Sequence, residues 1–113
     1  MNRIQFIGAT CALFLGVVTA AMGAEHTIGQ KNKSFVTNGS KVEKLKVKVG
    51  DTIHFKNQDP FFHNIFSLSD IKTFDLGSYP SGQSKSVTMD KAGISEIECA
   101  IHPHMFLTVE VAN

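Results

Sequence analysis

From Glu25 onward the chain alternates between apolar and polar residues in short segments, and no long stretch keeps a helical period. In residues 45–49 the odd positions are apolar and the even positions are lysines, which is typical of a half-buried strand. Similar segments recur up to residues 106–111, with turn-forming sequences such as Gly50-Asp51 between them. Seven or eight short strands separated by turns predict an all-β fold, an antiparallel β-sandwich. Residues 69–83, with two glycines and a proline, are expected to form a looser stretch.

The first 24 residues have the layout of a secretory signal peptide. Arg3 precedes an apolar run over residues 4–21, and Ala21-Met22-Gly23 then offers small residues for cleavage. Cleavage after Gly23 or after Ala24 fits this layout, which leaves a single domain over residues 25–113. A run of this length also approaches that of an uncleaved membrane anchor. The polar sequence that follows directly favours cleavage, and with it a periplasmic protein without stable membrane association.

Charge and cysteine content restrict the function of this domain. Its ten lysines balance its ten acidic residues, which argues against a nucleic-acid partner because phosphate binding needs a basic face. Loss of the signal peptide removes Cys11 and leaves Cys99 without a partner for an intramolecular disulfide. A lone thiol in an oxidising compartment is prone to oxidation or intermolecular pairing. Capture of the thiol by a metal ion would prevent both.

The segment Cys-Ala-Ile-His-Pro-His-Met near the end of the chain places three different donor groups at every third position. These are the thiol of Cys99, the imidazole of His102 and the thioether of Met105. A short hairpin loop, stiffened by Pro103, would bring them to one point. His63, far upstream, can supply a second imidazole from a neighbouring strand. One thiolate, two imidazoles and a weak thioether match the trigonal site that holds electron-transfer copper.

Each candidate residue also has an ordinary structural interpretation. His63 lies in a phenylalanine-rich segment and can be a buried core histidine. Asn64 either caps a turn or hydrogen-bonds the cysteine loop from beside the metal. His104 and Met105 are adjacent, so only one of them can face the site; the spacing selects Met105 and leaves His104 as the alternative axial ligand. Two further histidines are interpreted as ordinary surface or packing residues: His26 and His54.

The pattern Cys99-x-x-His102-x-x-Met105, with His63-Asn64 upstream, resembles the small blue-copper proteins, the cupredoxins of the plastocyanin, pseudoazurin and amicyanin group. The loop is most similar to that of amicyanin. Residues 46–55, KVKVGDTIHF, also resemble the family's strand pair V-x-x-G-D-x-V-x-F, so the similarity covers about residues 45–111. It implies a cupredoxin-like Greek-key β-sandwich of seven or eight strands. It also implies one type 1 copper ion, with His63, Cys99 and His102 as equatorial ligands and Met105 as the weak axial ligand.

The resemblance further implies a function that is not enzymatic. The chain would be a monomeric, periplasmic electron carrier that cycles between Cu(I) and Cu(II), with a dehydrogenase-like donor and a cytochrome or oxidase as acceptor. His102 would be the electron port, surrounded by an apolar patch for transient redox partners: Phe61, Phe62, Ile101 and Pro103. Ile97, where the family often has an aromatic residue, leaves the packing near the copper open.

Two other functions use the same residues. A carrier or storage protein that delivers Cu(I) would have the same soft ligands but needs an exchangeable site. A thiol enzyme or Cys/His hydrolase would use Cys99 as its nucleophile. Such an enzyme also needs an orienting third group and a substrate cleft, and the sequence near Cys99 predicts neither.

Overall fold

The computed structural model describes residues 23–113, so the expected signal peptide lies outside the described residues except for Gly23 and Ala24. The described chain forms ten strands. They are β1 (Glu25–Lys31), β2 (Ser34–Thr37), β3 (Ser40–Lys41), β4 (Lys44–Lys48), β5 (Thr52–Asn57), β6 (His63–Ser67), β7 (Phe74–Tyr79), β8 (Ser84–Thr88), β9 (Gly93–Glu98) and β10 (Phe106–Ala112).

The strands form two five-stranded sheets that pack face to face. The first sheet has the order β3-β2-β1-β5-β8 and the second the order β4-β10-β9-β6-β7. Most neighbours are antiparallel, whereas β1 pairs with β5 and β10 pairs with β4 in parallel. The expected all-β sandwich is therefore confirmed. Within the described residues no helix has the length and apolar character needed to cross a membrane.

The core consists of the inward-facing side chains of both sheets. In β4, Val47 is buried while Lys46 and Lys48 are exposed, as the alternation predicts. The fully buried apolar side chains include Ile28, Phe35, Ile53, Phe55, Ile65, Ile97, Leu107 and Val109. Cys99 and Met105 belong to the same core cluster, because the loop that carries them folds back onto the end of the sandwich.

The strand count differs from the seven or eight expected because of two short or irregular elements. β3 has only two residues. β7 lies in the stretch that was expected to be loose, since Asp75 and Gly77 interrupt any apolar alternation there. β7 nevertheless joins the sheet because it pairs with β6, from His63 opposite Tyr79 to Ser67 opposite Phe74. This strand depends on its neighbour rather than on its own sequence pattern.

The two ends of the sandwich differ in the elements that meet there. The cysteine end contains the end of β9, the start of β6 and the loops over residues 58–62 and 99–105. The amino end contains the start of β1, the start of β5 and the turn over residues 49–51. The parallel pairing of β1 with β5 places the beginnings of both strands together at the amino end.

Candidate metal centre

Three side chains that are distant in sequence meet at the cysteine end. Cys99 Sγ lies 3.7 Å from His63 Nδ1 and 3.9 Å from His102 Nδ1. The two Nδ1 atoms are 3.2 Å apart, and all three atoms lie within 4.8 Å of one another. His63 and Cys99 are fully buried, whereas His102 is partly exposed. A thiol sulfur and two imidazole nitrogens that converge in this way form a donor set suited to copper or zinc.

The local structure of the cysteine loop sets the position of each donor. Cys99 follows β9 directly, so its side chain points into the sandwich in register with the buried residues of that strand. A turn closes the loop, in which the Met105 N–H donates to the His102 carbonyl at 2.9 Å. Met105 is 1% exposed and packs in the core cluster, so its thioether is shielded from solvent. The neighbouring His104 is exposed.

Asn64 connects β6 to the cysteine loop. Its side-chain Oδ1 accepts a hydrogen bond from the Ala100 N–H at 2.7 Å. Its own backbone N–H donates to Cys99 Sγ at 3.4 Å. Of the two roles that the sequence left open for Asn64, the structure shows the contact with the cysteine loop. The hydrogen bond from the Asn64 N–H also holds the sulfur in position beside the two imidazoles.

Asp59 contacts His63 on the side of the ring opposite Cys99. The sequence analysis did not identify Asp59 as part of the site. Its Oδ2 accepts a hydrogen bond from His63 Nε2 at 2.7 Å. Burial opposes ionisation of Asp59, but hydrogen bonds from the Lys33 N–H, from His63 and from the Asn32 N–H outweigh it and keep the pKa below its usual value. An ionised carboxylate requires that Nε2 carry the proton, which leaves the Nδ1 lone pair facing Cys99. This is the tautomer that a metal-binding histidine needs.

The signal for Asp59 in the sequence is weak for a physical reason. An acidic residue four positions before a histidine indicates a contact on a helix, but here residues 58–62 form a loop. The contact exists because Asn57 folds this loop tightly. Its Nδ2 donates to the Phe61 carbonyl at 2.8 Å, and its Oδ1 accepts from the Asp59 N–H at 2.9 Å.

The turn between β1 and β2 completes the pocket around the Asp59 carboxylate. Asn32 and Lys33 have φ angles of 54° and 57°, a region that residues other than glycine seldom adopt. Their successive N–H groups donate to Asp59 at 2.6 and 3.0 Å. Two adjacent N–H groups in this conformation form a concave site for an anion. The carboxylate therefore stabilises the turn and His63 at the same time.

The electrostatic surroundings keep His102 neutral. Burial lowers the pKa of His102, and electrostatic interactions with His63, Lys33 and His104 lower it further, against the opposing effect of Asp59. A neutral imidazole has a lone pair available for a metal, whereas a protonated one has none. At neutral pH the imidazole of His102 can therefore act as a ligand.

One member of the predicted apolar patch, Phe61, contacts the rings of both histidines of the cluster. Phe61 is half-buried, and its ring centroid lies 5.4 Å from that of His63 and 5.2 Å from that of His102. Three other members of the patch are exposed: Phe62 (53%), Ile101 (47%) and Pro103. Lys33 Nζ lies 5.6 Å from the centre of the Phe61 ring and places one positive charge at the rim.

The other two histidines of the described chain lie away from the cluster. His26 Nε2 is 2.9 Å from Asp51 Oδ2, near the amino end. His54 pairs with Glu25 on the outer face of the first sheet. Both are the surface or packing residues that the sequence analysis expected.

Comparisons with known proteins point to one family. The sequence pattern of the copper-binding proteins of the plastocyanin/azurin family matches residues 24–112. Over 69 residues the chain is 33% identical to the methylamine utilization protein MauL of Methylorubrum extorquens, and it spans 60% of that relative's length and 60% of its own. A Cu(I) form of an amicyanin variant has a TM-score of 0.67 and 26% identity, covering 80% of this chain and 84% of that one.

A larger protein shares only the fold. The copper-containing nitrite reductase of Thermus scotoductus has a TM-score of 0.69 and 23% identity, covering 79% of this chain and 22% of that one. The family match and the sulfur and imidazole donors brought together at the cysteine end agree on the same cofactor. The residues present fit a type 1 copper ion.

Proposed function

Because this chain belongs to the plastocyanin/azurin family of copper-binding proteins, we propose that it is a periplasmic carrier that passes single electrons between other redox proteins. The observation that carries the proposal is the convergence of His63 Nδ1, Cys99 Sγ and His102 Nδ1 at the cysteine end. These residues would hold one copper ion per chain, with Met105 as a weak fourth ligand. Copper bound there supplies the Cu(I)/Cu(II) couple.

The rigidity of the protein around the ligands supports electron transfer. Asp59 fixes the ring of His63, and Asn64 ties the cysteine loop to β6. These hydrogen bonds hold the donor atoms in position. A ligand set that its surroundings hold in this way has little freedom to rearrange when the charge of the ion changes. Small rearrangement is what fast electron transfer requires.

The surface around His102 supports transient docking. His63 and Cys99 are 0% exposed, whereas His102 is only partly buried and lies against the ring of Phe61, a member of the apolar patch. His102 is therefore the shortest route from the ligands to a partner. A patch of this kind excludes water on contact without making a permanent complex, and the balanced charge of the domain gives weak steering.

Several features support the finer parts of the proposal. The signal-peptide layout of the first 24 residues supports export to the periplasm. The likeness to a protein named for methylamine utilization supports a dehydrogenase as electron donor, with a cytochrome or oxidase as acceptor. In this proposal the protein has no substrate of its own. Cys99 is completely buried, which opposes a role as a nucleophile.

The test is the optical spectrum of the protein after Cu(II) is added to the copper-free form. We expect an intense visible band that a reductant bleaches and reoxidation restores. Cys99→Ser should abolish the band. His104→Gln should keep it, because His104 is an exposed histidine that lies outside the cluster of converging donors. No band, with tight binding of Cu(I) and its rapid transfer to a chelator, would instead identify a copper carrier.

A further inference from the structure

A second buried carboxylate lies at the amino end, where no metal ligand is close. Asp51 is 6% exposed. Its Oδ1 accepts a hydrogen bond from the Ala24 N–H at 2.9 Å, and its Oδ2 accepts from His26 Nε2 and from the Lys48 N–H, each at 2.9 Å. The hydrogen bond from His26 and those from the two backbone N–H groups lower the pKa of Asp51 to about 2. The carboxylate is therefore ionised at any physiological pH.

Ala24 is part of the folded domain and not a loose extension of it. Its carbonyl accepts a hydrogen bond from the Thr52 N–H at 2.9 Å, which extends the ladder between β1 and β5 by one residue. Its N–H donates the hydrogen bond to Asp51 Oδ1. A chain that began at Glu25 would lose both bonds. The fold thus uses both backbone groups of Ala24.

The sequence around the cleavage region favours the same boundary. Cleavage after Gly23 places Ala21 and Gly23 at the third and first positions before the cut, and both are small. Cleavage after Ala24 would place Met22 at the third position. Signal peptidase sites have small residues at these two positions, which disfavours methionine.

We propose that the signal peptide is removed between Gly23 and Ala24 and that the new α-ammonium group of Ala24 is bound by the Asp51 carboxylate. The inference rests on the export included in the proposed function, but not on copper binding. Cleavage replaces an amide N–H at this position with a charged group that has three donors. The neutral hydrogen bond seen at Asp51 thereby becomes an ion pair. Processing then stabilises the attachment of β1.

Other charged groups surround this pair and have to be separated from it. His26 contacts the same carboxylate, and Lys46 and Lys48 line the adjoining hollow. Asp90 is also close, because the N–H of the preceding residue, Met89, donates to the Asp51 carbonyl. The carboxylate of Asp90 pairs with Lys72. On the outer face of β1, Glu25 pairs with His54.

The first test is the intact mass of the protein exported from the full-length gene. A chain beginning at Ala24 is the expected result, and one beginning at Glu25 would overturn the inference. A chain that keeps its first 23 residues would also overturn it, because no α-ammonium group would then form at Ala24. The visible copper band of the same sample reports separately on electron carriage. A wrong N-terminus together with an intact band would therefore overturn only the present inference.

The second test measures the thermal midpoint of the copper-free exported protein against pH. An unpaired α-amine loses its proton near pH ~8, so the ion pair is complete below that pH and is lost as the pH rises. We expect the midpoint to fall by about 5 °C between roughly pH 7 and 10, in addition to any slope shared by all variants. This step should vanish in Asp51→Asn and persist in Asp90→Asn and in His26→Gln. Its persistence in Asp51→Asn would contradict the ion pair.

A third measurement remains informative if Asp51→Asn does not fold. The Ala24 α-amine of the native wild-type protein should react with an acylating reagent at neutral pH at least several-fold more slowly than in the denatured protein. Peptide mapping by mass spectrometry separates this amine from the lysines. Equal rates in the native and denatured forms would overturn the inference.

Discussion

The two ends of the sandwich contain the same arrangement around a buried aspartate. At the cysteine end, Asp59 accepts hydrogen bonds from His63 Nε2 and from two backbone N–H groups. At the amino end, Asp51 accepts from His26 Nε2 and again from two backbone N–H groups. The side chain of His63 is 0% exposed, and that of His26 is 26% exposed.

The comparison shows that a carboxylate–imidazole pair does not by itself make a metal site. What differs is the environment of the second ring nitrogen. His63 Nδ1 faces Cys99 Sγ and His102 Nδ1 inside the protein, so fixing its tautomer prepares a ligand. His26 lies at the surface of a hollow without other donors of this kind, where its pair with Asp51 is partly solvated and has a structural role.

The largest difference between the two ends should come from replacing the histidines. His63→Gln should eliminate the visible band, because the amide is a poor copper ligand and only Cys99 and His102 of the three converging donors would remain. His26→Gln should leave the band unchanged, since it removes only the pair with Asp51. Optical titration with Cu(II) measures both variants. A normal band in His63→Gln would contradict its role as a ligand.

The next largest difference should come from the aspartates. Asp59→Asn should lower the affinity for copper about 10- to 100-fold, because His63 loses the acceptor that sets its tautomer. It should also destabilise the copper-free protein by about 2–3 kcal/mol, since buried N–H donors lose their acceptor. Asp51→Asn should leave the affinity within about twofold of wild type. Competition with a chelator for Cu(I) and unfolding in denaturant measure the two effects.

Acid should affect the two ends in different pH ranges. The pKa of His102 is below 6.5, so the unfolded chain takes up a proton that the folded chain resists, and stability falls as the pH drops below 6.5. The lowered pKa of Asp51, about 2 against 3.8, gives a separate loss as the pH falls from 3.8 towards 2. In the copper-free protein His102→Gln should reduce the first loss, and Asp51→Asn should reduce the second. Chemical unfolding at each pH measures these changes.

The smallest difference should appear in electron exchange between two copies of the protein. Ile101→Ser disturbs the apolar patch, and Val49→Ser makes the same kind of change at the amino end, where Val49 is 39% exposed. Loss of ~1 kcal/mol of contact should slow exchange about fivefold in Ile101→Ser and leave it unchanged in Val49→Ser. Line broadening in NMR spectra of mixed Cu(I) and Cu(II) samples gives this rate. An equal change in both variants would argue against docking at the patch.

Much of the fold was predictable because strand signals are local. The alternation in β4 and the turn at Gly50-Asp51 are sufficient to predict half-buried strands in a sandwich. β7 was not predictable, because its own residues carry no alternation and its pairing with β6 creates it. The cysteine loop was predictable as a cluster of donors because its ligand types are only three residues apart.

The sequence by itself determined which donor types the chain offers and that these donors belong to a β-sheet domain, since residue identity and the short-range alternation decide both. Only the tertiary structure decided which aspartate supports which histidine. Asp51 is 25 residues from His26 and 27 from Ala24, and Asp59 is 27 residues from Asn32. Contacts over such separations depend on how β1 lies against β5, and this register follows from the packing of the whole sandwich.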